Sequence, residues 1–104
     1  MSYQDIYYIA HYIDGQGIKG TTSFDQFLSY LKKFKGIEDV KLDEVENGFL
    51  LNAVIFGSPV SFLYIEENKQ EEIVVERFRT DIVVFLKDLL LKQHIELKKG
   101  VSLQ

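Results

Sequence analysis

Hydrophobic residues recur at helical spacing between positions 24 and 35. The apolar stripe consists of Phe24, Phe27, Leu28, Leu31 and Phe34, which fall on one face of a helix. The helix is predicted to begin after Ser23, whose hydroxyl can accept a hydrogen bond from the amide of Gln26 in a capping box. Gly36 is predicted to end it, after a last turn rich in lysine.

The pattern changes to alternation between positions 38 and 79, which predicts an antiparallel meander of about four strands. Asn47 and Gly48 are the preferred pair for a two-residue hairpin turn, because both central positions need a positive φ. This turn would pair Glu46 with Phe49. The core face of the hairpin is then predicted to hold Val40, Leu42, Phe49, Leu51, Ala53 and Ile55.

The opposite face of this hairpin is only partly polar. Its polar members are Lys41, Asp43 and Asn52, and its apolar members are Val45, Leu50, Val54 and Phe56. We therefore expect another surface to cover part of it. Further strands are predicted over 60–66 and 72–79, on either side of a polar turn at 67–71.

A second helix is predicted over about 81–95. Thr80 is its candidate cap, and its apolar stripe comprises Ile82, Phe85, Leu86, Leu89 and Leu90. Val83, Val84 and Leu91 widen this stripe, so the helix should be mostly buried. Residues from about 98 to 104 are expected to form a frayed tail.

The first 22 residues fit two structures. Their β-branched and aromatic content favours a strand over 5–13, followed by a turn at Asp14-Gly15 and a short strand through Ile18. Ile6, Ile9 and Ile13 equally fit one face of a helix. We prefer the strand. The glycine-rich stretch 15–20 then reads as a loop or an edge rather than a dinucleotide-binding turn, which would need a βαβ unit.

Together these elements predict a single α+β domain over residues 1–104. An antiparallel sheet of four to six strands would carry two amphipathic helices, at about 24–35 and 81–95, on one of its faces.

Charge is distributed unevenly along the chain. The net charge is −4, and residues 38–76 hold ten acidic residues against two lysines, whereas both flanking segments are mildly basic. This balance disfavours nucleic acid as a partner. The acidic segment is either a solvated surface or a face that steers a basic partner.

The candidate chemistry is sparse. The absence of cysteine excludes a disulfide scaffold and a thiolate metal site, and no signal peptide or membrane span is recognisable, so we expect a cytoplasmic protein. Neither His11 nor His94 has a partner at helical metal-ligand spacing. We predict no catalytic site, no cofactor and no metal ion.

Two arginines and a tyrosine cluster remain as candidate binding residues. Arg77 and Arg79 would lie on the same side of a predicted strand, about 6.6 Å apart, where they could clamp an anion or pair with nearby glutamates. The tyrosines of the first twelve residues suit either an interface or the edge of a core.

These features predict a small acidic, non-enzymatic domain that binds or regulates another protein, and a basic protein is the candidate partner for its acidic segment. The alternative is a small enzyme or ligand-binding domain with a pocket between helix and sheet, lined by Tyr8, His11, Tyr64 and Arg77. A homodimer is also expected, because the 49–56 strand is largely apolar on both faces and a second copy could cover one of them.

Overall fold

A computed structural model describes residues 3–15, 23–66 and 70–102 of the chain, with the backbone alone described from 95 onward. In this part of the chain the elements are α1 (Tyr3–Gly15), α2 (Phe24–Leu31), β1 (Ile37–Val45), β2 (Gly48–Ile55), β3 (Ser58–Ile65) and α3 (Glu71–Ser102). The protein is α+β, and its strands form one antiparallel sheet in the order β1-β2-β3.

The helices pack on one face of the sheet, which encloses the core. The buried hydrophobic residues of the strands all belong to that face: Ile37, Val40, Phe49, Leu51, Ala53, Ile55 and Tyr64. Leu42 packs against them while only partly buried. The predicted core face of the hairpin is therefore confirmed, since side chains alternate between the two faces of a strand and five of its six members are buried.

The prediction of a strand over 5–13 was wrong, because these residues form α1. The buried residues of α1 are Ile6, Ile9, Ala10 and Ile13, which share one helical face against α3 and leave the tyrosines exposed. Burial of that face outweighs the strand preference of individual β-branched and aromatic residues. The predicted strand through Ile18 and most of the glycine-rich stretch lie outside the described residues.

The prediction of a strand over 72–79 was also wrong, and in the part of the chain that the structure describes the sheet has three strands rather than the predicted four to six. Val74, Val75 and Phe78 are buried and continue the stripe of Ile82 and Leu86 without a break. Thr80 does not cap a new helix, because its hydroxyl donates to the carbonyl of Glu76 within a continuous helix, at 3.0 Å.

The far end of this helix also differs from the expectation. α3 continues through Ser102, beyond the predicted end near 95 and into the predicted frayed tail. The last two residues of that tail lie outside the described residues.

α2 begins where the sequence predicts, with the amide of Gln26 donating to the Ser23 hydroxyl at 3.2 Å. It ends at Leu31, earlier than predicted, and the following residues form tight turns in place of the last helical turn. Gly36 does not stop the helix. Its missing side chain instead makes room for the ring of Phe56, whose Cδ1 would lie 2.9 Å from an added Cβ.

The hairpin between β1 and β2 closes one residue earlier than predicted. Val45 pairs with Gly48, so the loop residues are Glu46 and Asn47, and the register shifts by two residues from the predicted one. A shift of two leaves the paired side chains on their predicted faces. Phe56 is the exception to the predicted outer face, because it lies in the turn after β2 and packs against the core. Farther along β1 the register changes between Glu38 and Lys41, which marks a bulge.

Candidate functional site

The sheet face that points away from the helices, which we call the outer face, carries apolar side chains. Among the described residues no element packs over it. Its apolar members are Val45, Leu50, Val54, Pro59, Leu63 and Ile65, all of them partly or largely exposed. Contiguous apolar surface of this kind marks interaction sites on soluble domains.

The strand register brings the apolar members together at one end of the outer face. Leu50 lies between Asp43 and Leu63, and the next row joins Val45 and Ile65 through Gly48. Leu63 is 55% exposed and Ile65 61% exposed. These residues therefore form an apolar patch at the end of the sheet near the β1–β2 turn.

A polar row crosses the outer face next to this apolar end. It consists of Lys41, Asn52 and Ser61, and the Ser61 hydroxyl donates to the Asn52 Oδ1 at 2.5 Å. Lys41 also lies 3.7 Å from Asp43, in an exposed ion pair of little energetic weight. The row limits the larger apolar area to the end near the β1–β2 turn.

β1 and its turn form an acidic strip along one side of the outer face. The strip contains Glu38, Asp39, Asp43 and Glu46, and Lys41 is the one basic residue within it, whereas Glu44 pairs with Phe49 on the other face. All but Asp43 are exposed, and Asp43 is partly so. A run of one sign at the margin of an apolar surface attracts a partner of the opposite charge.

A second exposed surface lies on α1, where aromatic rings contact one another. Tyr7 stacks on His11 with ring centres 6.0 Å apart, and Tyr8 stacks on Tyr12 at 5.7 Å. Tyr12 in turn contacts Tyr30 of α2 at 6.2 Å. Burial, and then the neighbouring Tyr12, raise the pKa of Tyr30 to about 12. Tyr8 and Tyr12 therefore link α1 to α2 as well as facing solvent.

An open cavity of about 640 Å³ lies beside Tyr8. Its charged lining residues are Lys33 and Lys35 on one hand and Asp5 and Glu38 on the other. The two signs balance, so the cavity has no net preference for an anion or a cation.

The residues of the predicted pocket are not brought together. Tyr8 lines the cavity just described, whereas His11, Tyr64 and Arg77 do not. Tyr64 lies in the core, with its ring centre 6.5 Å from that of Phe78.

The Tyr64 hydroxyl reaches the surface beside α3. It donates a hydrogen bond of 2.6 Å to the Glu66 Oε2. This bond raises the pKa of Tyr64, and the nearby positive charge of Arg77 opposes the shift.

Arg77 and Arg79 do not form the predicted pair, because they lie on a helix, where residues two apart point in different directions. Arg79 instead bonds Glu76, with Nε 2.9 Å from Oε2, and its guanidinium lies 3.8 Å from Asp14 of α1. The bond to Arg79 lowers the pKa of Glu76. Arg79 therefore joins α1 to α3.

Within the described ranges no three potential ligands cluster as a metal site would require, and none of the helices there is long and apolar enough to cross a membrane. No family model, curated protein or solved structure matches the chain. The function must therefore be argued from the surfaces themselves.

Sequence reasoning missed the contribution of Leu63 and Ile65 to the outer face. The signal was present, since both alternate with the core residues Phe62 and Tyr64 along β3. The sequence could not supply the register between β2 and β3, which sets both residues beside Leu50.

Proposed function

We propose that the protein is a non-enzymatic, protein-binding domain that binds a basic partner through the outer face of its sheet. The observation that carries this proposal is the exposed apolar end of the outer face, centred on Leu50, Leu63 and Ile65, beside the acidic strip of β1. A partner that fits both features has an apolar ridge flanked by lysine or arginine.

The size of the outer face indicates how tightly it can bind. Three strands about 4.8 Å apart, each about 25 Å long, present roughly 350 Å². Stable complexes bury roughly 800 Å² on each partner. The face alone therefore supports a weak or transient contact, typical of a regulatory interaction, unless the partner extends beyond it.

The acidic strip favours a basic partner over a second copy on this face. Another copy carries the same strip of four carboxylates and one lysine, and like charges at an interface weaken association. A basic partner instead gains attraction that acts over about 8 Å at physiological salt.

A designed peptide tests the proposal without knowledge of the natural partner. The probe is a 14-residue amphipathic helix of leucine and lysine, compared with one in which glutamate replaces each lysine. Chemical shifts of ¹⁵N-labelled protein should change on the outer face with the lysine peptide and stay unchanged with the glutamate peptide. Shifts confined to the helical side, or equal for both peptides, would refute the proposal.

Matched variants distinguish binding at the outer face from nonspecific binding elsewhere on the protein. Ile65→Lys should weaken lysine-peptide binding at least tenfold, because it removes an apolar contact and adds a like charge. Tyr7→Lys alters a residue of similar exposure on α1, 56% against 61%, and should bind the peptide as the parent does.

The acidic strip is tested through the rate of association. In a Glu38→Gln, Glu46→Gln variant the association rate constant should fall and lose most of its salt dependence, while dissociation changes little. A salt-independent association rate in the parent protein would leave the strip without a role in binding.

A further inference from the structure

β3 is an edge strand of the sheet, and no described residue pairs with its free side. It runs over Ser58–Ile65 and contains no charged residue. Its proline, Pro59, stands near its start, and its pairing with β2 continues without a register shift. An uncharged edge without a bulge is a template for another strand.

The hydrogen-bond pattern identifies which residues of β3 face its free side. The amide of Glu66 donates to the carbonyl of Asn47 at 3.1 Å, which makes this a hydrogen-bonded pair of the antiparallel ladder. Such pairs alternate along the strands, so Tyr64 and Phe62 also bond to β2. The amides of Ser61, Leu63 and Ile65 therefore point away from the sheet.

The other edge of the sheet is protected, in contrast. β1 carries the acidic strip, and its register shifts at a bulge next to Asp39, which has φ of 53°. Charges and bulges both discourage pairing with an added strand. β3 is therefore the edge at which a strand can be added.

An apolar stripe on α3 lies along the same side of the molecule. Ile73, Val84 and Leu91 are 37%, 54% and 59% exposed. Val84 and Leu91 follow Arg77 at intervals of seven residues, which places them on the same side of the helix. Phe78 and Phe85, each one position after Arg77 and Val84, contact the rings of Tyr64 and Phe62 in β3 at 6.5 and 6.4 Å, so this stripe lies next to the helix face that covers β3.

We propose that two copies of the chain associate through β3, pairing antiparallel about a two-fold axis to form a continuous six-stranded sheet. The occupant is a second copy because this edge meets its own sequence without like charges, as β1 would not. A register centred on Leu63 uses the three free amides of both chains, gives about six interchain hydrogen bonds and keeps Pro59 outside the ladder. Val84 and Leu91 of the two α3 helices then flank the paired strands.

This dimer is independent of the proposed partner. The sequence predicts a homodimer through the apolar second face of the hairpin, whereas the present proposal uses the strand edge and leaves the outer face of each copy open for a basic partner. The two copies would present two such faces on one side of the joined sheet.

Proline scanning tests the edge specifically. Leu63→Pro removes an amide that makes no bond to β2, and Leu63→Ala removes the same side chain but keeps the amide. Light scattering should give twice the 12.1 kDa chain mass for the parent and for Leu63→Ala. Leu63→Pro should weaken dimerisation at least tenfold while its circular dichroism matches that of Leu63→Ala.

Amide hydrogen exchange provides a readout that needs no variant. In the parent, Ser61, Leu63 and Ile65 should be protected at high concentration and lose protection on dilution, whereas Phe62 and Tyr64 stay protected. A mass of 12.1 kDa up to millimolar concentration, or fast exchange at Leu63 at every concentration, overturns the dimer.

A further variant separates edge pairing from association through the outer face. Leu50→Lys changes the central strand and should leave the dimer intact while abolishing lysine-peptide binding. A dimer that Leu50→Lys dissociates and Leu63→Pro preserves would refute pairing through β3. Lysine-peptide binding by the parent protein at a dilution where it is monomeric would uphold the proposed function separately.

Discussion

Replacing Gly48 by alanine should destabilise the protein through a backbone clash. A Cβ at this position would lie 2.8 Å from the carbonyl carbon of Tyr64, closer still to its oxygen, and 3.0 Å from the Cα of Ile65. All of these atoms belong to the backbone of β3, so no side-chain rotation can relieve the contact. The sequence alone suggests a different role, in which Gly48 supplies a positive φ. The structure gives that conformation to Asn47, with φ of 63°.

The cost of Gly48→Ala follows from the movement that the clash requires. Carbon atoms pack best at about 3.5–4.0 Å, so β2 and β3 must separate at the Gly48–Ile65 pair. The bond from the Glu66 amide to the Asn47 carbonyl and its neighbour in the ladder would then weaken. At a net value of about 1 kcal/mol for each bond, plus lost packing, we expect a loss of about 2–3 kcal/mol. This is a large part of the roughly 5–15 kcal/mol that stabilises a domain.

Urea unfolding followed by circular dichroism measures this loss as a change in midpoint at constant m-value. The variant Gly48→Asn distinguishes a backbone clash from a requirement for a positive φ. Asparagine tolerates a positive φ, so it would be much milder than alanine if the turn were the cause. It carries the same Cβ, so it should be at least as costly if the clash is the cause. Gly48→Ala within about 0.5 kcal/mol of the parent would refute the reasoning.

Three further predictions concern stability and titration. Ser23→Ala should cost about 1 kcal/mol, because the Gln26 amide loses its acceptor, and an unchanged urea midpoint would contradict this. Phe78→Ala removes a side chain with 0% exposure and should cost about 3–5 kcal/mol, against less than about 0.5 kcal/mol for the exposed control Glu72→Ala. Absorbance at alkaline pH should show a last tyrosine step near pH 12 that Tyr30→Phe abolishes. Because the pKa of Tyr30 is raised above its ordinary 10.0 in the folded state, its contribution to stability is present below pH 10 and lost as pH rises towards 12.

Local periodicity was enough to predict where α2 begins and which side chains of the hairpin face the core. The stripe that includes Phe27 and Leu31 matches one period only, and a cap at Ser23 marks its start. In the hairpin, alternation fixed that Leu51 and Ala53 face the core even though the register was two residues off. Both outcomes follow because the spacing of side chains around a helix or along a strand is set by backbone geometry.

Tertiary packing decided the secondary structure of α1, whose residues fit a helix and a strand about equally, and of the first turns of α3, for which the sequence predicts a strand. Ile6 and Ile13 reach the core only from a helix that packs against α3. Val74 and Phe78 line up with Ile82 only if the helix begins at Glu71. Short apolar runs carry little period information, so the contact that buries the most surface selects the structure.

The candidate binding surface, too, was partly predictable from the sequence and partly set by the tertiary structure. The sequence determined that residues 38–76 are acidic and that β2 carries Leu50 and Val54 on the face opposite its core residues. Only the tertiary structure placed Leu63 and Ile65 beside Leu50 and left the free amides of β3 at an edge. Strand order and register depend on contacts between residues far apart in the chain, and the alternation within a single strand does not encode its neighbours.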